Sequence, residues 1–203
     1  MWGQLEGDGR MRTDVMVDIE TLGNKTNSTI FQIAAMAFDI QTGKIIGEPF
    51  NQVANIELNE RPLNVSGSTL KWWLKTDKEL FEKLLNSGEH SSEQILRSFY
   101  DWLCQYETPT TYLWGNGILF DNKMIQNQLE SLGLSYPIFY KNDRDVRTIL
   151  ELASIKEDIS ERELKDRLKD DTLVAHDAHD DVKKQINRVV ECFKLLTKRR
   201  KNK

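Results

Sequence analysis

The chain has 203 residues, with 28 Lys and Arg against 32 Asp and Glu, a formal net charge of -4 and 39% hydrophobic residues. That length supports a full core, the composition excludes a disordered chain, and the acidic balance excludes a protein that grips polyanions through its overall charge. No apolar run approaches the roughly 20 residues that a spanning helix needs, and the polar, Gly-rich start lacks the apolar segment of a secretory signal.

A cytoplasmic protein with no membrane partner is therefore expected. The expected organisation is a flexible leader over 1–10, with Met11 an alternative start, one domain over 11–197 and a basic tail over 198–203. The tail reads as a solvated helix end, where cations suit the helix dipole. Cys104 and Cys192 lie far apart in helix-like patterns and read as reduced, buried thiols.

In chain order, residues 14–20 (Asp-Val-Met-Val-Asp-Ile-Glu) predict a first strand, because β-branched and apolar residues suit a pleated backbone. Alternate side chains in a strand share a face, so Asp18 and Glu20 point the same way. Two like charges side by side resist burial; they are either solvated at a strand end or compensated by a cation. After the turn-rich loop 22–28, residues 30–40 and 44–53 read as second and third strands. Short connections make these three an antiparallel meander.

From Ser66 the apolar period becomes helical, through Leu70, Trp73 and Leu74, then Leu80, Phe81, Leu84 and Leu85, then Ile95, Phe99, Trp102 and Leu103. Ser92 is the expected cap of the third stripe. Residues 110–114 predict a fourth strand and 119–132 a helix, followed by a short strand at 137–140, a helix over 146–154, a solvated charged connector over 156–171 and a final helix along Val182, Ile186, Val189, Phe193 and Leu196. This order is that of an α/β fold, a ribonuclease H-like mixed five-stranded sheet with helices on both faces. In that arrangement the central first strand presents acidic residues.

Two further acidic stretches bear on Asp18 and Glu20. Asp121 stands in the first turn of the helix after the fourth strand, where an aspartate either stabilises the helix end or serves a site. His176-Asp177-Ala178-His179-Asp180-Asp181 is denser than a helix cap requires. Asp177 is placed to cap and Asp180 to occupy the first turn, which leaves Asp181 beside the apolar face of the last helix. His176 in the preceding loop is placed to take a proton near neutral pH. His179 reads as solvent-exposed.

Taken together, Asp18-Ile19-Glu20-Thr21, the segment from Asn116 to Asp121, and His176-x-Ala178-x-x-Asp181 resemble, in order, the three motifs of the DEDDh class of DnaQ-like 3′–5′ exonucleases. Residues 69–73, 114–117 and 142–148 are further similar to the small phage and prophage enzymes of exodeoxyribonuclease VIII-like and DexA-like type. The resemblance implies metal ligands at Asp18, Glu20, Asp121 and Asp181 and a general base at His176. It implies two divalent cations, Mg²⁺ or Mn²⁺, with Asp18 bridging both. Glu20 and Asp181 would complete the site that holds the water, and Asp121 would serve the second ion. All-oxygen donors favour such hard cations over Zn²⁺. The implied partner is a nucleic acid with a 3′ end, single-stranded by preference, and the implied products are nucleoside 5′-monophosphates.

Substrate contacts are expected at Thr21, Leu22, Gly23, Asn116 and Phe120. Trp72 and Trp73 cannot share one helix face, so one is core; Trp73 is taken as the substrate contact. Arg144 and Arg147 either grip phosphate or solvate a helix start. Two rivals are an HD-type metal phosphohydrolase, suggested by His176-Asp177 and His179-Asp180, and a nucleic-acid-binding module with a degenerate site. The strand-rich first quarter disfavours the former and the complete set of acidic ligands the latter.

Overall fold

The structure, a computed structural model, describes residues 12–106, 110–169 and 172–198. The alternation of the first strand decides how the molecule is layered. In β1 (Thr13–Thr21), Val15, Val17 and Ile19 face one way and Met16, Asp18 and Glu20 the other. Each set meets a different helical layer.

β1 pairs antiparallel with β2 (Ile30–Phe38), and β2 pairs antiparallel with β3 (Ile45–Val53). On its other side β1 pairs parallel with β4 (Thr111–Gly115), which pairs parallel with β5 (Asp143–Asp145). The order β3-β2-β1-β4-β5 gives the expected mixed five-stranded sheet, with the meander at one side and the acidic strand at its centre.

Three helices follow the meander: α1 (Gly67–Thr76), α2 (Lys78–Leu85) and α3 (Ser92–Leu103). The cap of α3 is Ser91, one residue before the expected Ser92; its side chain and that of Gln94 satisfy each other's backbone in a capping box. α4 (Asp121–Ser131) comes after β4. α3 and α4 cover one face of the sheet, where Ile95, Phe99, Leu103, Met124 and Ile125 pack on Val15, Val17, Ile19 and Leu113. α5 (Val146–Glu157) and α7 (Ala178–Thr197) cover the other, where Val146, Ala178, Val182, Ile186 and Val189 pack on Met16, Ala34, Met36 and Trp114. α1 and α2 form a lateral cluster in which Trp73, Phe81 and Leu84 pack on Leu22 and Phe31.

Four further expectations are corrected. Residues 137–140 form no strand; the fifth strand is the polar Asp143–Asp145, held by backbone pairing to β4. The charged connector contains α6 (Glu161–Arg167), anchored by the single buried Leu164 against α5 and α7. Cys104 is exposed, because it follows the last turn of α3 as its C-cap; Cys192 is buried as expected. Trp73 is core rather than a surface contact. No helix among the described residues is long and apolar enough to cross a membrane. The expected leader and residues 199–203 of the tail lie outside the described residues.

Candidate active site

β1 outruns β4. Their pairing ends at Met16–Trp114, so Asp18 and Glu20 lie beyond the last parallel partner, and a register shift interrupts the ladder with β2 at Glu20–Thr21. Bulges of this kind re-aim side chains at the ends of sheets. Both carboxylates are half-buried and share the α7 face.

The start of α7 is fastened against that strand end. Asp177 caps the helix through the His179 amide, as expected, and Gln32, buried opposite Glu20 on β2, accepts from the Ala178 amide and donates to Asp177. Ala178 is fully buried, and its small side chain lets the helix lie close to the sheet. One turn later Asp181 arrives beside β1. Ligand oxygens of Asp18, Glu20 and Asp181 lie within 4.8 Å of one another.

Asp121 comes from the first turn of α4 and is buried. Its helix approaches closely because position 115 is glycine: a Cβ there would stand 3.4 Å from Asp121 Oδ2 and 2.3 Å from Asn122 Oδ1. Asn122 bolts the same turn to the sheet by donating to the Leu113 carbonyl and to Asp143.

Burial pushes the Asp18 carboxyl well above the usual range, and Asp121 and Asp181 add to the rise; the Gln185 hydrogen bond and the Lys184 charge oppose it. Glu20 is pushed up by burial and then by Asp18, Asp181 and Asp121. Asp121 is pushed up to about 7 by burial, against backbone amides at Asp121 and Ile19 and the charge of Arg147. Four carboxylates thus crowd together with few compensating cations. Hard, oxygen-seeking divalent ions fit this donor set, which among the described residues is made of carboxylates alone.

His176 sits at the loop position expected, with φ at +65°, a left-handed conformation that is costly for any residue with a Cβ. Its amide donates to Asp181 Oδ2 at 3.0 Å, and its ring meets the edge of Trp72 at 4.9 Å. His179 is set apart from the carboxylate set, contacts Asp180 at 3.6 Å and is partly exposed. The paired His-Asp steps therefore do not build an HD-type site.

The expected substrate contacts divide. Trp73 is 1% exposed and donates its Nε1 to the Thr21 carbonyl, whereas Trp72 is 44% exposed beside His176. The surface ring is thus Trp72. Leu22 is likewise buried in the lateral cluster, Thr21 is buried with its hydroxyl on the Gly23 carbonyl, and Gly23 is crowded by Ser28. These three are thus packed into the structure just past the acidic pair rather than presented as open surface. Phe120 is exposed at the head of α4, and Asn116 lies in the loop after β4. Arg147 reaches the site, its guanidinium lying against Gly117. A Cβ at Gly117 would stand 3.0 Å from that guanidinium, and the φ of +122° there is one that residues with a side chain rarely adopt. Asp145 holds that arrangement by accepting from the amides of Arg147 and Ile118. Arg144 turns away, stacking over Tyr112 at 4.4 Å near the opposite end of β1.

Sequence reasoning missed Gln185 and Lys184. Gln185 Nε2 donates to Asp18 Oδ1 at 2.7 Å, and Lys184 Nζ to Asp181 Oδ1 at 2.9 Å. The available signal was their spacing, three and four residues after Asp181 and so on the same helix face.

A mixed sheet whose central strand ends in an acidic pair, with aspartates at the heads of two helices and a histidine in the loop before the second, is the arrangement expected of a 3′–5′ exonuclease. Family comparison agrees: the chain belongs to the 3′-5′ exoribonuclease Rv2179c-like domain family, whose model matches residues 13–193. An exodeoxyribonuclease of Enterobacteria phage T4 is 24% identical over 197 residues, covering 85% of this chain and 86% of the phage protein. The nuclease domain of 3′hExo, a DEDDh family member bound to rAMP, superposes with a TM-score of 0.60 at 18% identity, covering 90% of this chain and 92% of that one. Exonuclease I of Methylocaldum szegediense superposes with a TM-score of 0.66 at 18% identity, covering 89% of this chain and 40% of that one.

Proposed function

We propose that the protein removes nucleotides from the 3′ end of single-stranded DNA, releasing nucleoside 5′-monophosphates with the help of two divalent cations, Mg²⁺ or Mn²⁺. The observation that carries this reading is the meeting of Asp18, Glu20 and Asp181 oxygens within 4.8 Å, with the His176 backbone tied to Asp181. Asp18, Glu20 and Asp181 would hold one ion and Asp18 and Asp121 the other. When bound, the ions supply an activated water and neutralise charge on the phosphate and the leaving oxygen.

The remaining roles belong to the chain. His176 takes the proton of the attacking water at its imidazole, and the bond from its backbone amide to Asp181 ties the loop that carries the ring to the carboxylate set. Arg147, beside Gly117 and Asp121, is the cation offered to the non-scissile phosphate. Thr21, Leu22 and Gly23 give the terminal nucleotide a rigid floor, and Asn116 and Phe120 border it. Trp72 presents a ring on which an unpaired base stacks, which favours single strands over duplex ends.

The phage relative supports DNA as substrate and a kinship with the small phage exonucleases. The family description favours a second reading, an exoribonuclease built on the same site. End-labelled single-stranded DNA and RNA of one sequence, incubated with Mg²⁺ or Mn²⁺, separate the two. Mononucleotides appearing from the labelled 3′ end of DNA at the higher kcat/KM support the first reading and faster RNA turnover the second. Absence of mononucleotide from both overturns the exonuclease mechanism.

A further inference from the structure

The loop that carries His176 is held by the helix that follows it. Val174 donates its amide to Asp180 Oδ2 at 3.0 Å, and His176 donates its amide to Asp181 Oδ2 at 3.0 Å. Both bonds come from the first turn of α7. A third comes from the next turn: Lys184 Nζ donates to the Val174 carbonyl at 2.8 Å and to Asp181 Oδ1 at 2.9 Å. The Lys184 side chain is only 15% exposed, so its charge-assisted bond to Asp181 is partly shielded, while the Val174 carbonyl lies at the surface.

We infer that Lys184 is a positioning residue that clasps the His176 loop to the metal-ligand aspartate. His176 adopts a left-handed backbone conformation, and a strained residue stays in place only where its surroundings over-determine it. The two amide bonds fix the orientation of single peptide units. Lys184 does something different, joining a loop carbonyl and the Asp181 carboxylate through one ammonium, so loop and carboxylate cannot move apart without losing at least one of the two bonds. General-base catalysis is steep in geometry, and a displacement of about 1 Å can cost about a hundredfold in rate. The clasp therefore acts on turnover through the loop rather than on metal capture, where an added positive charge opposes a cation.

This inference rests on His176 acting as the general base. It is tested on the full chain with Lys184→Met, which keeps the length and helix propensity of the side chain and removes its ammonium. Amide hydrogen exchange of the metal-free protein over residues 173–177 should quicken by about tenfold or more. Binding of Mn²⁺, measured by calorimetry, should be unchanged or tighter. kcat should fall by about tenfold or more with KM unchanged, and Lys184→Arg, which keeps charge and donors, should recover part of it. Should Lys184→Met fail to fold, Lys184→Gln reads the same loop. Unaltered exchange over 173–177 in a folded variant overturns the inference, as does a loss of activity that excess Mn²⁺ restores. Because exchange is read without substrate, its outcome stands apart from whether the protein degrades nucleic acid.

Discussion

Asp14 and Asp18 lie on the same face of the same strand, about 13 Å apart along it, and the molecule treats them in opposite ways. Asp14 is 1% exposed and fully compensated: Arg12 forks onto both its oxygens at 2.7 and 2.8 Å, and Trp114 Nε1 donates to it at 2.7 Å. Asp18 receives one neutral donor, Gln185, and faces three other carboxylates. A buried charge with its own partners belongs to the structure, and one left among like charges is held ready for something that arrives later. The contrast separates scaffold from site without reference to any relative.

The largest effect expected is on the uncompensated residue. Asp18→Asn should lower kcat by about 10³-fold or more while leaving the metal-free protein as stable as before or more so, since it removes a charge that burial and neighbours oppose. Nuclease assay and urea unfolding of one preparation check both halves. A variant that unfolded readily would place Asp18 with Asp14 as scaffold.

His176→Ala should lower kcat by about 10²- to 10⁴-fold without changing Mn²⁺ affinity, as followed by calorimetry. Weakened metal binding would show that the imidazole serves as a ligand.

Asp14→Ala should do the reverse of Asp18→Asn. The Trp114 donor and the Arg12 charge would lose their partner, costing about 1–3 kcal/mol of stability, less than for a fully buried pair because Arg12 is 39% exposed. Per-molecule activity of the folded protein should stay near that of the parent, and a catalytic defect would erase the distinction between the strand's two ends.

The smallest effect is on pH and stability. Asp121 binds its proton with a pKa of about 7 in the fold, against an ordinary value of 3.8. Between these values the native state holds more protons than the unfolded one, so the stability of the metal-free protein falls as pH rises through that window. A Tm lower by about 3–6 °C at pH 8 than at pH 5 is expected in chelator, with Mg²⁺ or Mn²⁺ narrowing the gap. A Tm that climbed over the same range would mean that the site carries its own compensation.

Much of the fold was legible because its elements bury apolar residues at fixed periods. Strands β1 and β2, helices α1 to α5, and α7 all announce themselves this way. Elements are missed where apolar periodicity is absent, and a strand is wrongly expected at 137–140, where a short apolar run pairs with nothing in the sheet. β5 has the sequence Asp-Arg-Asp and exists through backbone pairing to β4, and α6 buries only Leu164. Trp72 and Trp73 are alike in composition and neighbours, and the helix phase that buries the second against Phe31 and Phe81 depends on where α1 and α2 settle. Arg144 and Arg147 are separated in the same manner, by a strand end that turns one toward Tyr112 and the other toward Gly117.

In the sequence, the resemblance of three ordered motifs nominated the four carboxylates and the histidine; residue order by itself contributed the shared face of Asp18 and Glu20 and the helix-head positions of Asp121 and Asp181. That these segments meet is a property of the packed molecule. The meeting depends on Gly115, Ala178 and Gln32, small or amide-bearing residues that let helices approach the sheet edge and lock there. Packing decides also which carboxylates are compensated, since a partner such as Arg12, Gln185 or Lys184 is a matter of distance in space.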